Sequence, residues 1–188
     1  CEVPVIAAGG LMDGADAARA LARGAAAVQL GTAFLDCTET AADDAFRAAL
    51  RDPEQGPPVL TTSISGRAAR CMRNDFITLS QSLHAKVPDY PVTYDAGKAL
   101  NAAAKAAGES GFGAQWAGTG VARVRSGGAA EILEAIGADK NVTLVIHDWG
   151  SGIGFLWAMR HAAAVKGLAY MEGIVKPVTW ADWPEGAV

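Results

Sequence analysis

Two glycine-bearing turns, Gly9-Gly10 and Gly31-Thr32, are places where a backbone can hold an anion. Each closes a short apolar run of strand length, Val3–Ala8 and Ala26–Leu30. Glycine lets backbone N–H groups approach phosphate oxygens with no Cβ in the way. A helix N-terminus after such a turn adds partial positive charge, and Thr32 can add a hydroxyl. Gly10 and Gly31 stand 21 positions apart, the length of one strand–helix step. In a parallel β/α array both turns then lie side by side at the C-terminal ends of adjacent strands, where β/α barrels hold phosphate. Two ordinary tight turns have the same spacing, so the pattern alone leaves both readings open.

A second group lies near the other end. The apolar run Val142–Ile146 leads through His147 into Asp148-Trp149-Gly150-Ser151 and then a helical pattern. A strand, a sharp turn and a helix make a nucleophile elbow, which exposes one side chain at the strand tip. The usual G-x-S-x-G does not fit around Ser151, and Asp148 takes the central position instead. A carboxylate there can displace halide from an alkyl carbon, giving an ester that water cleaves. The indole N–H of Trp149 can donate to the departing halide. Asp148 as a simple helix N-cap is the competing reading. Gly150, Gly152 and Gly154 miss the G-x-G-x-x-G spacing of a nucleotide loop.

The elements that must position these residues follow from pattern. Val3–Ala8 reads as a strand buried on both faces. Asp13 caps a helix over Ala15–Arg23, with Ala17, Ala20 and Leu21 on one face, and Gly24 stops it. Thr40 with Asp43 resembles a capping box for a helix over Ala41–Arg51. Pro53–Pro58 is a loop, and Val59–Ile64 a short strand. Helices are predicted over Phe76–His84, Ala96–Ala107, Ala129–Ile136 and Ile153–His161, and strands over Asn141–His147 and Val165–Met171. Arg125–Gly128 is the best place for a seam between two differently built parts.

Composition bounds the rest. The chain has 188 residues, 51% hydrophobic and 19% charged, in the range of globular proteins. A net charge of −4 gives no electrostatic case for nucleic acid or an anionic membrane. No apolar run approaches the roughly 18 residues of a membrane span. Cys1, Cys37 and Cys71 have neither a disulfide nor a metal-site spacing, which predicts no metal and reduced thiols in a cytoplasmic protein. The sequence starts with Cys1, two residues before a strand, which suggests a cut upstream.

The stretches VPVIAAGGLMDG, AAAVQLGTAFL, SISGRAARCMRN, YPVTYDAGKAL and FGAQWAGTGVA, in this order, resemble the C-terminal half of the nitronate monooxygenase family. The resemblance covers residues 1–126. It implies an FMN-dependent β/α (TIM) barrel that oxidises alkyl nitronates with O2. It implies that Gly9, Gly10, Gln29, Leu30, Gly31 and Thr32 contact FMN, largely its phosphate. It also places Tyr90, Tyr94 and Lys98 near flavin and substrate; these are spaced by four, which fits one helical face. Without the resemblance they read as a solvated face. Arg67, Arg70 and Arg73, spaced by three, read as a solvated or salt-bridged face, with an anion site as the alternative. The family's glycine-rich stretch with a catalytic histidine has no counterpart among these residues, and His84 matches no motif and reads as structural. The expectation is therefore a partial barrel with a helical extension, inactive by itself.

Residues 131–188, from VTLVIHDWGSGIGFLWAMRHAAAVKGLAYMEGIVKPVTW onward, look like a haloalkane dehalogenase. That resemblance makes Asp148 the nucleophile, Trp149 a halide ligand and Glu172 the acid that orients the catalytic histidine. His147 and His161 are not that histidine, which falls later in the family. The fold class expected is thus α/β: a partial FMN barrel over 1–126, a seam at 127–130 and a partial α/β-hydrolase unit over 131–188. A small molecule, a nitronate or a haloalkane, is the expected partner. A non-functional chimeric chain is the remaining alternative.

Overall fold

The computed structural model describes residues 3–83, 86–137, 140–147 and 149–171. They fall in two compact units, Cys1–Gly127 and Gly128–Val188.

In the first unit, strands β1 (Ile6–Ala8) and β2 (Ala27–Gln29) run parallel, and helix α1 (Gly14–Ala22) is the crossover that parallel strands require. The Asp13 carboxylate accepts the Asp16 N–H at 2.8 Å and so caps α1. Gly24, at φ +94°, ends the segment. Ala8 pairs with Gln29, so the Gly9-Gly10 and Leu30-Gly31 turns leave the sheet at one level.

The predicted burial of the first strand does not hold. Val3 is 67% and Ile6 59% exposed, and Leu21 of α1 is 47% exposed beside buried Ala17. The reason is topological: among the described residues β1 pairs with β2 alone, so the pair has two open edges.

A 3-10 turn at Thr32–Phe34 leads to α2 (Asp44–Arg51). This helix starts three residues later than predicted. The Thr40 hydroxyl donates to the carbonyls of Leu35 and Cys37, so it serves the preceding turn. Asp43 is the cap instead, accepting the Phe46 N–H at 2.8 Å. Lys105 reaches Asp43 at 2.7 Å and holds its carboxyl below the ordinary value.

Strands β3 (Val59–Thr61) and β4 (Ala69–Cys71) form an antiparallel pair. Residues 115–117 run along the far side of β4. The Met72 N–H donates to the Gln115 carbonyl at 2.9 Å, the Ala117 N–H donates to the Arg70 carbonyl at 3.2 Å, and Cys71 bridges Trp116. Helix α3 (Asp75–Leu83) precedes α4 (Val92–Ala106), which begins four residues before the predicted start and so includes Tyr94. Two apolar clusters hold these pieces: Leu50, Met72, Ala117 and Val121 in one, Ile64, Cys71 and Ile77 in the other.

A buried acid ties the segment after β2 to α2. The Asp36 side chain is fully buried and takes Arg51 Nε and Nη2 at 2.8 Å each and Arg47 Nη1 at 3.2 Å. The Ser126 hydroxyl also donates to it. Chiefly through Arg51, the Asp36 carboxyl lies below its ordinary value.

The second unit holds α5 (Ala129–Ala135), β5 (Val142–His147), α6 (Trp149–Arg160) and β6 (Val165–Met171). The two strands are parallel, in register from Thr143–Gly167 to His147–Met171. Gly154 lets α6 lie on β5: a Cβ there would sit 3.1 Å from Ile146 Cδ1 and closer still to its Cγ2. Trp157 is buried and stacks on His161 at 4.9 Å between ring centroids. Among the described residues, no helix is long and apolar enough to cross a membrane.

Candidate functional site

At the C-terminal ends of β1 and β2 three glycine-bearing segments converge. Gly9 and Gly10 have φ of +92° and +71°, a region that excludes most L side chains. The Gly118 N–H donates to Thr32 Oγ1 at 2.8 Å. A Cβ on Gly118 would lie 3.1 Å from Thr32 Oγ1, and one on Gly10 3.0 Å from Thr119 Oγ1. A Cβ on Gly120 would strike the Met12 side chain. The segment Ala117–Gly120 is brought here by its pairing with β4 and is anchored by buried Ala117 and Val121. Sequence reasoning gave these residues no role. The signal was a second Gly-Thr in AGTG, placed by a long-range pairing that spacing does not reveal.

Around the site, glycine backbone is open to approach: no atom lies within 4 Å of a Cβ built on Gly9 or Gly31. Thr32 Oγ1 accepts from Gly118, which leaves its own proton to donate. Positive-φ glycines, an available hydroxyl and the start of α1 suit a phosphate-sized anion. Of the predicted residues, Gly10 and Thr32 come together around this segment, with Gly9 and Gly31 in the same turns. Gln29 ends β2 exposed, and Leu30 is half-buried.

Arg123 fastens one side. Its Nη2 donates to the Gly10 carbonyl at 3.2 Å and to Asp16 Oδ2 at 2.7 Å, and its Nη1 to Asp13 Oδ2 at 2.9 Å. Asp16 is 6% exposed and also accepts the Met12 N–H at 2.8 Å. Its carboxyl is held below the ordinary value first by the Arg123 hydrogen bond, then by the Met12 N–H.

Tyr90, Tyr94 and Lys98 form a second group. The two rings stack at 6.2 Å between centroids, and Lys98 Nζ lies 4.6 Å from the Tyr94 ring centre. The column gains a fourth member: the Arg67 guanidinium sits 4.9 Å from the Tyr90 ring centre, a cation–π distance. Arg67 is exposed, as expected of a solvated face, and its neighbour on the turn explains why it also reaches Tyr90. A Cβ on Gly66 would lie 2.6 Å from the Pro88 carbonyl and the Tyr90 nitrogen, so this turn rests directly on the segment that carries Tyr90.

In the second unit Asp148, Glu172 and His84 of the first lie outside the described residues, as does the Trp149 side chain. Trp149 is the first residue of α6, so the predicted turn at Trp149–Ser151 is already helix. His161 faces Glu134 at 3.8 Å and Trp157. No cluster of three or more metal-ligating side chains occurs among the described residues.

A parallel strand–helix–strand with glycine turns at its strand tips makes the first unit an α/β structure. The family model for nitronate monooxygenase matches residues 1–139, and the chain belongs to that family. Nitronate monooxygenase of Paraburkholderia phytofirmans is 55% identical over 134 residues, which are 71% of this chain and 37% of that protein. The solved nitroalkane oxidase of Streptomyces ansochromogenes superimposes with a TM-score of 0.67 at 38% identity, covering 73% of this chain and 39% of that one. The chain thus spans about two fifths of the length of these relatives. A haloalkane dehalogenase of Sphingobium indicum is 56% identical over 54 residues, 29% of this chain and 18% of that protein.

Proposed function

We propose that the first unit is the phosphate-holding end of an FMN site, in an enzyme that oxidises alkyl nitronates with O2. The observation that carries this is the convergence of Gly9-Gly10, Gly31-Thr32 and Gly118-Thr119 at the tips of two level parallel strands. In this reading Gly10, Gly31 and Thr32 hold the phosphate by backbone N–H groups and one hydroxyl, with Gln29 and Leu30 at the strand end toward the rest of the flavin. FMN bound there would supply the electron acceptor for a nitronate carbon. Tyr90, Tyr94 and Lys98 form the wall beside flavin and substrate, and Lys98 offers a positive charge to the nitronate anion. The donor set fits the group: glycine amides and a hydroxyl suit a phosphate, and the nearby carboxylates of Asp13 and Asp16 are paired with Arg123.

The 188 residues alone are read as a binder without turnover, because the histidine-bearing stretch implied by the resemblance has no counterpart in them. Buried, reduced Cys37 and Cys71 support a cytoplasmic setting. The test is titration of FMN and riboflavin into the 188-residue chain, followed by flavin fluorescence. Binding of FMN in preference to riboflavin is expected. Equal or absent binding of both overturns the reading.

A second reading rests on the dehalogenase likeness and the parallel β5–α6–β6 unit. Residues 131–188 then derive from an α/β-hydrolase, with Asp148 as nucleophile, Trp149 as halide donor and Glu172 as the orienting acid. Incubation with a haloalkane and intact-mass measurement tests it: alkylation lost in Asp148→Asn supports it, and no adduct removes it. A chain joined from two enzymes, with no activity of its own, predicts neither flavin binding nor adduct.

A further inference from the structure

The Gly10 turn has an electrostatic problem that the structure resolves. Asp13 caps α1 and Asp16 lies in its first turn, both within a few residues of the glycines proposed to hold phosphate. Asp16 is buried, and its Oδ2 is bonded to the Met12 N–H, two residues past Gly10. Two carboxylates beside an anion site repel the anion, and the start of α1 alone does not cancel two full charges. Arg19 pairs with Asp16 Oδ1 from the exposed side. Arg123 contacts Asp13, Asp16 and the Gly10 carbonyl together, from a segment 107 positions beyond Asp16. That segment is also the one whose Gly118 meets Thr32.

We infer that Arg123 is a positioning residue for the phosphate end of the flavin site: it fixes the Gly10 turn through its carbonyl and neutralises Asp13 and Asp16 beside it. The inference rests on the FMN reading above. It predicts an effect specific to the phosphate. A residue that only stabilised the fold would affect FMN and riboflavin alike.

The experiment compares FMN and riboflavin binding to the 188-residue chain by fluorescence quenching at low salt. Arg123→Gln should weaken FMN about tenfold and leave riboflavin unchanged. Arg123→Lys should retain part of the FMN affinity, and Asp16→Asn in the Arg123→Gln background should restore part of it. Asp13→Asn guards against a misfolded arginine variant, since asparagine caps a helix as well as aspartate does. It removes one negative charge at the site and should tighten FMN two- to threefold, with riboflavin unchanged. Equal loss of both flavins, no loss of either, or no gain from Asp13→Asn overturns the inference. Where wild type binds FMN but Arg123→Gln binds it equally, only the role of Arg123 falls. Where wild type binds no FMN, the functional reading falls and this one with it.

Discussion

Thr32 and Gly118, 86 positions apart, are joined by one hydrogen bond, in which the glycine N–H donates to the threonine hydroxyl at 2.8 Å. Through it the turn after β2 and the segment paired with β4 share one site. The bond uses the acceptor side of the hydroxyl and leaves the donor side for an anion.

Thr32→Val tests both halves of that arrangement. Valine keeps the branched shape but leaves the Gly118 N–H without its acceptor, which costs about 1 kcal/mol. FMN affinity should fall with it, because the donor is lost too. Thr32→Ser should keep both. Urea denaturation and flavin titration on the three proteins measure this; a Thr32→Val protein as stable as wild type would show that the bond contributes nothing.

Gly66 and Gly24 separate the cost of conformation from that of contact. Both have positive φ, +77° and +94°. No atom lies within 4 Å of a Cβ built on Gly24, so Gly24→Ala should cost about 1 kcal/mol, the left-handed penalty alone. A Cβ on Gly66 would meet the Pro88 carbonyl and the Tyr90 nitrogen at 2.6 Å, and backbone there yields only by moving the Tyr90 segment. Gly66→Ala should cost about 2–4 kcal/mol, the strain of overpacking added to the conformational term. Similar denaturation midpoints for the two variants would contradict the packing described.

These cases show which parts of the site the sequence carried. The glycine turns were legible because glycine after a strand-length apolar run has a local cause, and so was Asp13 as the cap of α1. Gly118, Arg123 and Arg67 were not, because pairing between residues far apart in sequence brings each into place. The start of α4 was missed for a local reason: Val92, Thr93 and Tyr94 are weak helix formers. They are helical because the Thr93 hydroxyl donates to the Pro88 carbonyl at 2.6 Å and Gly97 packs on Phe76. The exposure of β1 was not legible either, since an apolar run reports the surroundings a strand is suited to and not the neighbours it has.

Lys98 should matter for substrate and not for stability. Its ion pair with Asp95 is 3.4 Å long, with side chains 62% and 68% exposed, a geometry worth little in water. Lys98→Ala should leave the denaturation midpoint within experimental error. In an enzyme competent for turnover it should raise KM for a nitronate anion more than it lowers kcat. A large loss of stability would reassign Lys98 to the fold.

Asp36 contributes to the pH dependence of the first unit's stability. Its carboxyl is lowered from 3.8 in the folded state, first by the Arg51 hydrogen bond and then by those of Ser126 and Arg47, against the opposing effect of burial. A group with a depressed folded value contributes stability that is complete above its unfolded value, near 3.9. That contribution disappears as pH falls through the lower, folded value. Wild type should therefore keep it from pH 7 down to about 5 and lose it below about pH 4. Asp36→Asn removes the charge while leaving Arg47 half-buried beside it, and should destabilise by about 2 kcal/mol at pH 7, below the usual figure for a fully buried pair because Arg51 is half exposed. At pH 3 the gap between the two proteins should narrow. Denaturation midpoints at pH 7, 5, 4 and 3 measure it; curves for wild type and variant that stay parallel across this range would show that Asp36 is not the titrating group.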